Sequence, residues 1–321
     1  MGVSAMRIAT VGVSDLDQAI VLFRDVMELQ EERSGPVPAS LTAAWKLPNG
    51  ITAQMTELSC NGYPIGRLRL VEYTPTPSKH VRLDHGGDGG DKATDVGPKA
   101  LDFYVADPIL DSIKRIKKAG YSFRSPPVRH EIGVSISEEC LFSGPDGLPV
   151  LIMVGHRHPE TVMRPGTPHG LFSEIPTISV VSGSLEKTRQ FYGGILGLTA
   201  KDDAETPNSY RNLVNDLTGV PRGTRVHFLL YGTEEEASGK ILLVHFFDQT
   251  GARLKGRMRP GHLGFSLLTH DTKDLEGLHK TLIESGADIV SAPTIISDDG
   301  PKYLTMLVKG PNEEMFEFTQ R

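Results

Sequence analysis

Short segments of alternating apolar and polar residues run through the chain, and they predict many β-strands. The segments RIATVGVS at 7–14 and RLRLVEY at 67–73 are two examples. A period of two places successive side chains on opposite faces of a sheet, so each segment has one face to bury. The 34 glycines and 22 prolines fit a chain with many turns between short strands.

Two segments of the first half change to helical spacing. Behind Asp15, apolar residues recur every three or four positions from Leu16 to Phe23, which predicts a helix with an acidic N-terminus. The segment ILDSIKRIKKAG at 109–120 predicts a second helix that ends at Gly120. The order strand, helix, strands therefore occurs twice within this half, as two βαβββ modules.

The same order returns in the rest of the chain. DLDQAIVLFRDVMEL at 15–29 matches SLEKTRQFYGGILGL at 184–198, and FSGPDGLPVLIM at 142–153 matches VKGPNEEMFEFT at 308–319. The matches are collinear with a nearly constant offset, which indicates an internal duplication. We therefore predict two homologous domains, residues 1–158 and 172–321. The polar segment at 159–171, rich in proline and glycine, is the predicted linker.

Composition narrows the class of protein. The chain has 321 residues, 38% of them hydrophobic, and a net charge of −6, so it offers no broad basic surface for nucleic acid. No apolar run reaches the ~20 residues of a membrane helix, and the N-terminus lacks the features of a signal peptide. Cys60 and Cys140 are the only cysteines. We expect a reduced cytoplasmic protein that acts on a small molecule, compatible with a homo-oligomer.

Two segments carry a family resemblance. QFYGGILGL at 190–198 and the closing strand at 310–317, taken with the module order, resemble the vicinal oxygen chelate superfamily. That superfamily includes glyoxalase I, bleomycin-resistance proteins and extradiol dioxygenases. The resemblance implies an α+β fold in which four βαβββ modules pair into two incomplete mixed-sheet barrels with helices outside. It also implies a divalent metal inside a barrel.

The resemblance implies four ligand positions in each barrel, on the first and last strands of two paired modules. With one barrel in each half, the second half supplies Thr177, His245, His262 and Glu317, and the first half supplies Ile8, Glu72, Ala100 and Leu151. Only the second set offers several metal ligands, because neutral imidazole and carboxylate are common metal ligands. We therefore predict the active site in the C-terminal domain and none in the N-terminal domain.

Strand alternation supports part of this set. His262 shares a face with Gly264 and Ser266, and Glu317 shares a face with Thr319. An imidazole and a carboxylate inside a sheet cavity are costly without a partner, and a divalent metal would be one. The alternative is that His262 is a hydrogen-bonded core histidine and Glu317 an exposed edge residue.

The third ligand is the open question. Thr177 is a poor ligand, so His245 is the predicted substitute; an acid–base role and a core position are its alternatives. The predicted metal ligands are His245, His262 and Glu317, and the predicted catalytic residues are Glu317 and His245. The predicted substrate contacts are Thr177, Tyr210, Arg225, His227 and Tyr303.

The favoured function is that of a glyoxalase-like lyase or isomerase. Its substrate would be a small oxygenated molecule that chelates Zn, Ni, Mn or Co. The first alternative is an Fe(II) extradiol dioxygenase that cleaves a catechol-like ring. The second is a small-molecule binding or resistance protein that needs no metal.

Overall fold

The computed structural model describes residues 2–82, 92–132, 135–157, 170–206, 214–249, 251–297 and 301–321. The strands of the first half are β1 Ile8–Val13, β2 Gln30–Pro36, β3 Thr52–Ser59, β4 Arg67–Thr74, β5 Gly97–Tyr104, β6 Val128–Ile132, β7 Ser135–Ser143 and β8 Pro149–Arg157. Those of the second half are β9 Thr177–Val181, β10 Thr199–Glu205, β11 Val226–Gly232, β12 Lys240–Phe246, β13 Gly264–Asp271, β14 Asp288–Ile296, β15 Tyr303–Lys309 and β16 Met315–Gln320.

The helices are short, and all except α2, which lies between β2 and β3, follow the first strand of a module. They are α1 Leu16–Ile20, α2 Ala39–Ala44, α3 Ile109–Lys118, α4 Leu185–Arg189 and α5 Leu275–Glu284. Both α1 and α4 continue into a π-helical turn, at Val21–Val26 and Gln190–Ile195. The Asp15 side chain accepts a hydrogen bond from the Gln18 amide at the start of α1, as expected for an N-cap. Within the described residues, no helix is long and apolar enough to cross a membrane.

The strands form two eight-stranded mixed sheets, which confirms the predicted α+β fold of four paired modules. The first sheet has the order β14-β15-β16-β13-β1-β4-β3-β2, and the second sheet has the order β10-β11-β12-β9-β5-β8-β7-β6. The first sheet therefore joins the first and fourth modules, and the second sheet joins the second and third.

The prediction that each half, 1–158 or 172–321, forms its own barrel is wrong. The two modules of each sheet meet through antiparallel first strands: β1 pairs with β13, and β5 pairs with β9. In every module the first strand lies at the edge of its own four strands, where unpaired backbone groups need a partner. Four similar edges can pair in more than one way, and the repeat pattern does not distinguish them.

Each sheet has a face covered by helices and an opposite face, which we call the inner face. On the helix-covered face of the first sheet, Val11, Leu70 and Phe316 are fully buried in a core that also contains Phe23 of the first helical segment. Cys60 and Cys140 are both buried and free, as expected for a protein without a disulfide. The inner faces carry the polar side chains that concern function.

Candidate functional site

Glu317 lies on the inner face of the first sheet and has three hydrogen-bond donors. Its Oε1 accepts from Trp45 Nε1 at 2.8 Å. Its Oε2 accepts from Thr269 Oγ1 at 2.8 Å and from Arg69 Nη1 at 3.2 Å. Glu317 is 1% exposed. It is thus neither an edge residue nor a carboxylate without a partner.

Arg69 connects Glu317 to a second buried carboxylate. Its Nε donates to Glu57 Oε1 at 2.8 Å, and Arg33 Nη2 donates to the same oxygen at 2.7 Å. Burial opposes the charge of Arg69, but Glu57 and Glu317 outweigh it and hold its pKa above the ordinary value. Burial also opposes the charge of Glu57, yet Arg69 and Arg33 lower its pKa to about 2. The two arginines and two carboxylates form a charge-balanced network.

Trp45 covers this network. It follows α2, which packs on β14 and β15, and it is 1% exposed. The Arg69 guanidinium lies 5.6 Å from the centre of the Trp45 ring, within the range of a cation–π contact. Thr10, at 0% exposure, lies beneath Arg69, whose Nη1 is 3.4 Å from its hydroxyl. The inner face of the first sheet is therefore sealed.

His262 lies away from Glu317. It precedes β13, whereas Glu317 pairs with Thr269 near the end of that strand, about 20 Å further along at the usual rise per residue. Its Nδ1 donates to the Arg257 carbonyl at 2.8 Å. Burial, and then the charge of Arg259, lower its pKa.

A backbone contact explains the conformation of this segment. A Cβ on Gly12 would lie 2.0 Å from the His262 carbonyl oxygen, so only glycine allows β1 to approach this closely.

The start of α5 shows that the sequence alignment of the fourth module was out of register at His262. Thr177 lies seven residues before the N-cap Ser184, and the residue seven before the N-cap Asp274 is Leu267 rather than His262.

His245 lies in the second sheet, on its helix-covered face. Its Nδ1 donates to the Ser182 carbonyl at 3.0 Å, and its ring packs edge-on against Phe247. His227 is its neighbour across β11 and β12, and His227 Nε2 lies 2.6 Å from Asp203. Arg225 makes a two-pronged pair with Glu205, with both distances 2.9 Å. These predicted site residues stabilise the helix-covered side instead of lining a cavity.

The other predicted contacts separate as well. Thr177 is on the inner face of the second sheet, opposite Asp102. Tyr303 is on β15 of the first sheet, where burial and the nearby Glu317 raise its pKa. Tyr210 falls outside the described residues, and so does most of the predicted linker. Thr177 is thus the one described residue of the predicted set on the inner face of the second sheet.

The inner face of the second sheet differs from that of the first. Its residues alternate with the buried helix-facing ones, and many are half-buried. These half-buried residues are Glu139, Leu151, Ser179, Phe228, Leu230, Leu242 and Val244. Most are apolar, and Phe228 and Val244 pack against a cluster that includes Val214 and Val220. The face therefore presents a partly exposed, largely apolar surface, which is a usual composition for a small-molecule site.

Asp102 is a buried carboxyl group at the centre of this surface. It is 3% exposed, it pairs with Leu151 on one side and Thr177 on the other, and Ser179 Oγ donates to its Oδ2 at 3.1 Å. Burial, and then the charge of Glu139, raise its pKa well above the ordinary value, although the Ser179 hydrogen bond acts in the opposite direction. The carboxyl group is thereby shifted towards its neutral, proton-carrying form.

The implied metal does not fit the residues that were predicted to hold it. His245 lies in the second sheet, His262 lies far along β13, and Glu317 is bound by Arg69, Trp45 and Thr269. Among the described residues, no three His, Cys, Asp or Glu side chains form a group that could hold a metal ion. The predicted ligand set depended on pairing the third module with the fourth, and the sheets pair differently.

Comparison with known proteins agrees with this fold. Residues 174–318 match the family model described as the Glyoxalase/Bleomycin resistance protein/Dioxygenase superfamily. The resemblance to the vicinal oxygen chelate superfamily is thereby confirmed. A comparison with curated protein sequences finds no match.

Solved structures extend the likeness to the whole chain. Glyoxalase I from Zea mays is 16% identical with a TM-score of 0.60, and the match covers 98% of this chain and 92% of that one. A putative dioxygenase from Bacillus subtilis subsp. subtilis str. 168 is 13% identical with a TM-score of 0.62, covering 99% of this chain and 86% of that one. At such identities the likeness shows the fold and leaves the reaction open.

Sequence reasoning missed Arg69 and Asp102. Each is a charged residue between two apolar neighbours on a buried strand, in the segments RLRLVEY and ALDFYVA. A charge within an apolar strand is a usable signal, because it must be paired or neutralised when the strand is buried. The sequence alignment assigned the ligand positions on these two strands to Glu72 and Ala100 instead.

Proposed function

We propose that the chain binds a small oxygenated molecule on the inner face of the second sheet and catalyses a proton shift of the lyase or isomerase type. The single observation that carries this proposal is the buried carboxyl of Asp102 within a half-buried apolar surface. Apolar residues such as Leu151 and Leu242 would contact the carbon skeleton. Asp102, Ser179 and Thr177 would orient its oxygens.

The chemistry follows from two unlike carboxyl groups. Asp102 favours its neutral form, while Glu139 is half-buried and its negative charge is one cause of that preference. A carboxyl group that favours its proton-carrying form can act as a general acid, and a second carboxylate nearby can act as a general base. Glu139 would remove a proton from the carbon beside a carbonyl, and Asp102 would give its proton to the carbonyl oxygen. In a hydroxycarbonyl substrate this forms an enediol. Glu139 would then give its proton to the former carbonyl carbon, while the hydroxyl on the adjacent carbon would return a proton to Asp102 as the new carbonyl forms, which completes the isomerisation and restores both groups.

Deuterium exchange tests this directly. The untagged protein is incubated with hydroxyacetone in deuterated buffer, and proton NMR follows exchange at the carbons beside the carbonyl. We expect catalysed exchange that falls by about 100-fold or more in Asp102→Asn, the usual scale for loss of an acid–base group. The matched control is Asp203→Asn, a carboxyl of the same sheet that pairs with Arg189 and His227 instead. Equal rates in wild type and Asp102→Asn would contradict the proposal.

Binding without turnover is the second candidate, and the largely apolar surface favours it. If the protein only binds, hydroxyacetone or related hydroxycarbonyl compounds should give saturation-transfer NMR signals without deuterium exchange.

Oxygen uptake with catechol and added Fe(II) tests the ring-cleaving alternative. We expect no oxygen uptake. Uptake that depends on His262 or Glu317 would restore it.

A further inference from the structure

The inner face of the first sheet carries an inference that does not depend on the proposed function. Glu317 was the carboxylate of the predicted metal-ligand set. In the structure, however, hydrogen-bond donors already surround it. A carboxylate has about four acceptor positions, and three donors from Trp45, Thr269 and Arg69 use most of them. The remaining direction faces buried protein, since Glu317 is 1% exposed.

Arg69 has the place and the charge of a bound cation. Its guanidinium lies between Glu57 and Glu317 and contacts both, and the side chain is 3% exposed. It comes from β4, beside β1 at the centre of the sheet, in register with Thr10. A planar guanidinium offers fixed donors that suit two carboxylates, which a lysine could not match.

The second sheet shows what this position looks like without the arginine. Arg69 pairs with Thr10 across β1 and β4, and Leu151 pairs with Asp102 across β5 and β8. Glu317 pairs with Thr269, and Leu242 pairs with Ser179. Leu151 and Leu242 of the second sheet therefore occupy the positions that Arg69 and Glu317 occupy in the first. The inner face of the second sheet is half-buried, whereas that of the first is sealed.

We infer that Arg69 acts as a built-in counter-ion which fills the cation position between Glu57 and Glu317, and that its removal uncovers a site for a small cation. The first sheet's inner face is thus an ionic core that neither a divalent metal nor a substrate enters. Trp45 keeps this core dry, because its ring covers Arg69 and its nitrogen binds Glu317.

The first test uses the wild-type protein. Untagged protein is incubated with Mn²⁺, Zn²⁺, Ni²⁺, Co²⁺ or Fe²⁺, desalted and examined by elemental analysis. We expect the metal content of wild type and of a Glu317 variant to differ by less than about 0.1 equivalents for every metal. The acceptor positions of Glu317 are already occupied, so it should hold no metal ion. A stoichiometric metal that disappears in Glu317→Gln would overturn the inference.

The second test removes the counter-ion. We expect Arg69→Ala to lower the melting temperature by about 5 to 10 °C, because two buried carboxylates lose their partner. Millimolar guanidinium, but not the same concentration of sodium chloride, should recover part of that loss. Arg189→Ala removes a half-exposed arginine that pairs with Asp203, and it should show a small loss and no recovery.

Two results of the second test would count against the inference. They are an unchanged melting temperature in Arg69→Ala, or equal recovery by sodium and guanidinium. If Arg69→Ala does not fold, Arg69→Lys keeps the charge without the forked donors. We then expect a folded protein with an intermediate melting temperature and a smaller guanidinium effect, and a melting temperature equal to wild type would overturn the forked role.

Discussion

The two inner faces have the same backbone arrangement and opposite contents. In the first sheet, Arg69 and Glu317 lie side by side with Trp45 over them, and the face is closed. In the second sheet, Leu151 and Leu242 hold the corresponding places, and the face is half-buried around Asp102. One duplicated module pair has used its polar residues for stability, whereas the other has kept an accessible surface. A face rich in polar residues can therefore be a closed ionic core.

The largest expected effect is the loss of Glu317. Glu317→Ala leaves Arg69 with one buried partner fewer, which should lower the free energy of unfolding by ~3–5 kcal/mol. Urea denaturation measures it, and Asp203→Ala in the second sheet should shift the midpoint much less because its pair with Arg189 is partly exposed. Equal shifts would show that the first face is no more structural than the second.

The second prediction converts the open face into a copy of the closed one. Leu151→Arg places a guanidinium beside Asp102, where it should lower the pKa of that carboxyl and fill the apolar surface. Binding of hydroxyacetone, followed by saturation-transfer NMR, should weaken by about 100-fold, equivalent to ~2.7 kcal/mol. Leu151→Met is the size-matched control and should bind as wild type does. Retained binding in Leu151→Arg would place the ligand elsewhere.

The third prediction concerns pH. The pKa of Asp102 is raised above its ordinary value of 3.8, so the folded state holds a proton that the unfolded state releases. This group's contribution is full below pH 3.8 and is lost as pH rises towards the folded pKa, by up to about 1.4 kcal/mol per pH unit. Asp102→Asn should be more stable than wild type at neutral pH, with the difference vanishing near pH 3.8. A difference that does not depend on pH would contradict the buried neutral carboxyl.

The smallest expected effect belongs to Arg33 at the rim of the closed face. Its side chain is 48% exposed, so Arg33→Ala should cost less than ~1 kcal/mol at neutral pH. Glu57 has a lowered pKa of about 2, so its contribution is present above its ordinary value of 4.5 and is lost as pH falls towards 2. Without Arg33 that pKa rises, and acid unfolding should begin at a higher pH. An unchanged acid transition would mean that Arg69 alone sets the charge of Glu57.

Local pattern was a good guide to local structure. The segment RIATVGVS forms β1, the helix behind Asp15 forms with that side chain as its cap, and ILDSIKRIKKAG forms α3 before Gly120, whose φ is +94°. These features depend on neighbours within a few residues of one another. The same pattern misplaced His262. More residues separate His262 from the N-cap Asp274 than separate Thr177 from the N-cap Ser184, so the two residues do not hold equivalent positions in their modules.

The sequence by itself determined the four modules, their strand and helix order and the superfamily whose model residues 174–318 match. Only the tertiary structure decided which modules share a sheet, and with it which side chains meet. Module edges are alike in sequence, so the choice of β1 with β13 depends on contacts between distant parts of the chain. That choice brings Arg69 from the first module to Glu317 of the fourth, 248 positions away, and separates Glu317 from His245. A carboxylate acquires its role from the charge that the fold places beside it.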